Sequence, residues 1–112
     1  MDAVYETARL NMRRYRHRCT IHRMTSAEFF QTCTSQYDLI YIDGAHTYDA
    51  ALLDGQNAMR HIKPDGVIIF DDVEVPGVAQ AADEWRGEFD EQHELFYETP
   101  RQRAYIITQP ME

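Results

Sequence analysis

Glycine is sparse and scattered in this chain. Gly44, Gly55, Gly66, Gly77 and Gly87 are the five, and no two lie within three positions of each other. That excludes a Gly-rich loop, in which clustered backbone N–H groups cradle a phosphate or a dinucleotide. Cysteine is rarer still: Cys19 and Cys33 lack the spacing of a metal site and are too few for the disulfide framework of a small secreted domain. They read as reduced, buried thiols. Lysine is represented by Lys63 alone. No apolar run approaches the ~20 residues that a membrane helix needs. The opening residues, MDAVYETARLNMRRYR, hold no apolar signal core, so the sequence reads as a cytoplasmic protein without a membrane partner.

What is present fits one globular domain. The chain has 112 residues, 44% hydrophobic and 27% charged, enough for a core of its own. The net charge of −8 is unevenly spread. Residues 1–23 hold Arg9, Arg13, Arg14, Arg16, Arg18 and Arg23 against only Asp2 and Glu6, so the acidic excess falls on the remainder. A basic arm can bind nucleic acid. Here the arginines cluster toward the end of an amphipathic segment, where cations suit the helix dipole, and the protein is acidic as a whole, so no nucleic-acid partner is expected.

Hydrophobic periodicity changes along the chain. Val4, Ala8, Met12 and Tyr15 recur at spacings of three and four, predicting a helix over about 2–16. CTIHRM (19–24) reads as a short strand. Ser26 reads as an N-cap with Glu28 in the first turn, opening a brief helix through about Cys33. YDLIYID (37–43) is a nearly continuous apolar run of β-formers, the pattern of a strand covered on both faces. Tyr48, Ala51, Leu52, Ala58, Met59 and Ile62 share one face of a helix over 47–62. Gly55 weakens that helix by roughly 1 kcal/mol relative to Ala but would permit close packing on a sheet. KPDG (63–66) reads as a turn and GVIIFDD (66–72) as a second buried strand. Val78, Ala81, Ala82, Trp85 and Phe89 mark a third long helix. HELFYET (93–99) and RAYIITQ (103–109), separated by PRQ, read as an antiparallel pair.

Strands alternating with helices through short connections predict an α/β fold, a Rossmann-like three-layer sandwich with a mainly parallel sheet and a C-terminal antiparallel strand pair. In such folds ligands bind beyond the C-terminal ends of the strands. Asp43 ends one strand there, and Asp71 and Asp72 end the next. If the strands are adjacent, their ends lie roughly 5 Å apart, and the carboxylates would repel one another unless a cation joined them. Hard oxygen donors suit Mg²⁺, Mn²⁺ or Ca²⁺. His46, one loop step beyond Asp43, could be a nitrogen ligand or a general base. Each residue also has a plainer reading: Asp43 as a helix cap, Asp71–Asp72 as a solvated turn, His46 as a first-turn residue. His17, His22, His61 and His93 are scattered and read as structural.

YDLIYIDGAHTYDAALLDGQNAMRHIKPDGVIIFDDV resembles the C-terminal half of class I S-adenosylmethionine-dependent methyltransferases, in the branch of the macrocin-type sugar O-methyltransferases. In that branch a strand ends in IDG-x-H-x-Y, an acid follows in the next helix, K-P-G-G precedes the next strand, and that strand ends in an acidic pair. The corresponding residues are Ile42, Asp43, Gly44, His46, Tyr48, Asp54, Lys63, Pro64, Gly66, Asp71 and Asp72. The resemblance covers about 19–109. It implies that Asp43, Asp71 and Asp72 hold a catalytic Mg²⁺ or similar ion and that His46 is the catalytic base for a small hydroxylated acceptor. It further implies that Thr25, Ser26 and Asp43 lie on the S-adenosylmethionine side.

The family's first two strands have no counterpart here. They carry the Gly-rich loop and the acid that grips the ribose. The chain therefore reads as a single partial domain spanning 1–112, either part of an O-methyltransferase and inactive alone, or a methyltransferase-derived interaction domain. With neighbouring strands missing, YDLIYID would present an unpaired hydrophobic edge, predicting a homo-oligomer or strand-swapped dimer.

Overall fold

The structure, a computed structural model, describes residues 2–15 and 17–111; of Asp2 it describes the backbone only, and Arg16 lies outside the described residues. The chain divides into two compact units, Met1–Gln31 and Thr32–Glu112.

In the first unit, α1 spans Asp2–Met12 and passes into a 3₁₀ turn at Arg13–Tyr15. The basic cluster is used locally, since the Arg23 guanidinium sits 5.0 Å from the Tyr5 ring and that of Arg18 sits 5.1 Å from Tyr15. Residues 19–24 form no strand, contrary to the sequence reading: a strand needs a ladder partner, and this short segment offers only Cys19 and Ile21 for burial. Helix α2 (Ser26–Thr32) follows. Its N-cap is Thr25 rather than Ser26. The Thr25 hydroxyl accepts from the Glu28 amide (3.1 Å), and Glu28 Oε1 accepts from the Thr25 amide (3.0 Å) and hydroxyl (2.9 Å). This reciprocal box satisfies two orphan donors at once, which a cap one residue later could not do with Glu28.

The second unit runs β1 (Tyr37–Ile42), α3 (Tyr48–His61), β2 (Ile62–Asp71), α4 (Pro76–Glu88), β3 (His93–Glu98) and β4 (Gln102–Ile107). The sheet order is β1-β2-β4-β3. The β1–α3–β2 unit supplies a parallel pair, and β4 returns antiparallel to both β2 and β3. Strand β2 begins earlier than expected. Ile62 already pairs with Tyr37, and Leu39 next meets Val67, so two steps on β1 oppose five on β2. KPDG is thus a wide bulge inside the strand rather than a turn before it, with Asp65 at φ 64° providing the bend.

Alternation sorts the sheet into two faces. Ile40, Ile42, Ile68, Phe70, Tyr105 and Ile107 join one core with Ala51, Ala58 and Met59 of α3 and Val78, Ala81, Ala82 and Trp85 of α4. Within this unit both helices lie on that face, so it supplies two of the three layers expected, helices and sheet. The centre is aromatic: Trp85 lies edge-on to Phe70 with ring centroids 5.4 Å apart, and 5.1 Å from Tyr105. Gly55 has the role expected of it. A Cβ there would stand 2.8 Å from Trp85 Cδ1 and 2.9 Å from Phe70 Cζ, and its carbonyl accepts the Trp85 indole N–H at 3.0 Å. On the opposite face Leu39 and Tyr41 are exposed. Cys19 and Cys33 are free and half-buried rather than buried.

Candidate active site

Two parallel neighbours, β1 and β2, end side by side, and their last residues and following loops bear the acids. Leu39 to Ile42 pair with Val67 to Phe70 in continuous register, so the chain emerges from both strands at one level. From β1 it continues through Asp43 and Gly44 to His46, and Thr47 then caps α3 by accepting from the Ala50 amide at 3.2 Å. The cap is therefore Thr47, which leaves the Asp43 carboxylate available. Gly77 at the start of α4 packs against this loop: a Cβ there would lie 3.1 Å from the Tyr48 amide nitrogen and 3.3 Å from the His46 carbonyl oxygen.

At the end of β2 the two acids part company. Asp71 keeps the strand's alternation and is buried on the face of Tyr41. Gln102 Nε2 donates to Asp71 Oδ1 at 3.1 Å and to the Tyr41 hydroxyl at 2.8 Å, and the Tyr41 hydroxyl in turn hydrogen-bonds Asp71. The Tyr41 hydroxyl is the chief cause that holds the Asp71 carboxyl below its usual range, with Gln102 adding and burial opposing. The same bond holds the Tyr41 phenol above its ordinary value.

Asp72 takes φ 60°, the left-handed region that an Asp tolerates better than most residues. Its carbonyl accepts from the Val75 amide (3.0 Å), closing a turn. This reversal carries the carboxylate out of the strand's alternation and toward His46, whose Nε2 lies 2.9 Å from Asp72 Oδ2. Ligand atoms of Asp43, His46 and Asp72 all lie within 4.8 Å of one another. Asp43 stays exposed at the mouth of the cluster. The partial desolvation it does suffer is the first cause that holds its carboxyl above the usual range; Asp71 and Asp72 add to this and the His46 charge opposes it. The two carboxylates so placed suit a hard divalent ion with open positions left for other oxygens, and the imidazole beside them can either join them as a nitrogen donor or act as a base.

Of the residues singled out from sequence, Asp43, His46 and Asp72 are brought together. Asp71 is not in that group; it is tied to Tyr41 and Gln102 and acts on Asp43 through its charge. Thr25 and Ser26 belong to the first unit, where the Thr25 hydroxyl is committed to the α2 cap. Three residues escaped the sequence reading. Tyr41 carried a signal, since it alternates with Asp43 on the strand. Gln102 and Arg101 carried none, because the β3–β4 return alone brings them near: Arg101 Nη2 lies 3.5 Å from Asp72 Oδ1.

No curated protein sequence matches the chain. Its fold is similar to that of the O-methyltransferase NovP, with a TM-score of 0.71 and 23% identity over 93% of this chain and 45% of that one. It is also similar to an inferred O-methyltransferase from Klebsiella pneumoniae, with a TM-score of 0.68 and 15% identity over 93% of this chain and 57% of that one. The chain thus spans about half the length of these structures. A family model described as a methyltransferase domain matches residues 2–73, so that the strand-end acids and the His46 loop fall inside the matched region and the chain belongs to that methyltransferase-domain family.

Proposed function

We propose that this chain is the acceptor-side part of an S-adenosylmethionine-dependent O-methyltransferase that is assisted by a divalent cation such as Mg²⁺ and acts on a small hydroxylated acceptor. The observation that carries the reading is the convergence of Asp43, His46 and Asp72 at the C-terminal ends of adjacent parallel strands in a methyltransferase-family chain. Bound between Asp43 and Asp72, a divalent cation would fix an acceptor oxygen and lower the pKa of its hydroxyl, while the sulfonium cofactor supplies the methyl group. The chain's own residues do the rest. Asp43 and Asp72 provide the anionic donors. His46 Nε2 takes the acceptor's hydroxyl proton as general base. Asp71, held by Tyr41 and Gln102, adds negative charge near Asp43 that favours a cation at the cluster. Thr25 and Ser26 remain the proposed turn on the adenine side.

Isothermal titration tests this. Mn²⁺ or Mg²⁺ is expected to bind the wild-type chain and to bind Asp43→Asn and Asp72→Asn at least tenfold more weakly. S-adenosylmethionine is then titrated with and without the cation. Equal cation binding by the wild type and both variants would refute the site.

A second reading has its own support. β1 lies at the edge of the sheet, and its Leu39 and Tyr41 are exposed on the face away from the helices. A methyltransferase-derived assembly domain would pair this edge with a second copy. It predicts a stable oligomer by light scattering and an unchanged melting temperature when Asp43, His46 and Asp72 are replaced by Ala.

A further inference from the structure

The tip of the β3–β4 hairpin reaches the cation cluster, and it reaches it with a positive charge. Thr99 shapes this tip: its hydroxyl accepts from the amides of Arg101 (3.2 Å) and Gln102 (3.0 Å), and its own amide donates to the Gln102 carbonyl (2.8 Å). The Arg101 carbonyl accepts from the Val73 amide at 2.9 Å, fastening the tip to the residue that follows Asp72. The Arg101 side chain then turns back. Its Nη2 lies 3.5 Å from Asp72 Oδ1, and its Nε lies 3.8 Å from Glu74 Oε1.

Asp72 therefore has both oxygens engaged, Oδ2 by His46 at 2.9 Å and Oδ1 by Arg101 at 3.5 Å. The two contacts differ in kind. His46 is the proposed base, and its imidazole carries a lone pair when neutral. Arg101 has no lone pair to offer and can only compensate charge. Its contacts are longer than the 2.7–2.9 Å or so of a well-formed charge-assisted bond, and its side chain is 69% exposed, so it can leave without losing packing.

We infer that Arg101 is a positioning residue of the cation site: it is the built-in counter-charge of Asp72, occupying that carboxylate when no cation is present and yielding it when one binds. This inference rests on the metal-assisted reading given above. A monovalent guanidinium at the site's rim also sets a threshold, because a single-charged ion gains little by displacing it and a divalent one gains more.

The test measures Mn²⁺ binding to the full chain by isothermal titration at low and high salt. Arg101→Gln removes the charge, and Arg101→Lys retains it without the fork. The expected result is three- to tenfold tighter Mn²⁺ binding by Arg101→Gln at low salt, a difference that shrinks at high salt as exposed charges are screened. Arg101→Lys is expected to return the affinity to near the wild-type value. Circular dichroism confirms that both variants fold, as the exposure of this side chain leads one to expect. Wild-type binding with unchanged or weaker affinity in Arg101→Gln overturns this inference alone. Absence of Mn²⁺ binding by the wild type overturns the metal reading, and this inference with it.

Discussion

Replacing Gly55 by Ala should destabilise the protein, although the same exchange in an ordinary helix stabilises it. In a solvent-facing helix interior, Gly→Ala gains roughly 1 kcal/mol. At Gly55 the added methyl would meet Trp85 Cδ1 at 2.8 Å and Phe70 Cζ at 2.9 Å, both on fully buried rings. Comfortable carbon contacts lie near 3.5–4.0 Å, so most of an ångström must be found in a close-packed aromatic centre. Overpacking of this kind costs about 1–3 kcal/mol. Moving Trp85 also stretches its 3.0 Å indole bond to the Gly55 carbonyl, worth about 1 kcal/mol. The net expectation is a loss of about 1–3 kcal/mol, which lowers the melting temperature by roughly 5–15 °C. Gly87→Ala is the internal control. Gly87 lies in α4 with nothing within 4 Å of its Cβ position, so the helix gain of about 0.5–1 kcal/mol should appear as a small rise. Because Trp85 is the only tryptophan, its fluorescence reports both the local packing and the unfolding curve. If Gly55→Ala melted at or above the wild type, the helix–sheet contact at Gly55 would be looser than described and the reasoning would fail.

Other positions give sharp expectations. Thr25→Ala removes the hydroxyl that accepts from the Glu28 amide, while the Thr25 amide keeps its bond to Glu28, and should cost about 1 kcal/mol of local helix stability, read as faster amide exchange at Glu28; unchanged exchange would contradict the cap. Tyr105→Phe should be neutral or stabilising by up to about 1 kcal/mol in urea melts, because the Tyr105 hydroxyl is buried and makes no well-formed hydrogen bond among the described residues. Burial, its largest cause, raises the Tyr105 phenol above its ordinary value, with the Arg103 charge opposing. The folded chain thus holds that proton more tightly than the unfolded chain. Its contribution is complete below the unfolded value near 10 and is lost as pH rises through the folded value. Tyr105→Phe should therefore lose less stability than the wild type between pH 9 and 11 or so; parallel losses would refute this.

Much of the second unit was legible because its signals were redundant. The runs at 37–43 and 66–72 are mostly apolar β-formers that end in acids, and the face of α3 repeats at helical spacing. What stayed hidden depended on backbone states that side-chain patterns do not encode. A Lys-Pro-Asp-Gly stretch looks like a turn whether it precedes a strand or bulges within one; only the pairing of Ile62 with Tyr37 decides. Asp71 and Asp72 look equivalent on paper. One left-handed residue reverses the alternation and sends them to different neighbours, since a one-residue change of phase exchanges faces. Thr25 and Ser26 are both good caps, and the choice turns on the reach of Glu28. Gln102 and Arg101 meet the strand-end acids only because β4 pairs antiparallel with β2, a contact that no local window contains.

Helix α4 has a mechanical consequence. Near its start, Gly77 rests on the backbone that bears His46; about 12 Å along its axis, Trp85 is locked among Phe70, Tyr105 and Gly55. A rigid rod gripped at one end and leaning on a loop at the other is a lever. A core substitution that shifts α4 along its axis would press on the backbone that carries His46, at a distance from any atom it changes.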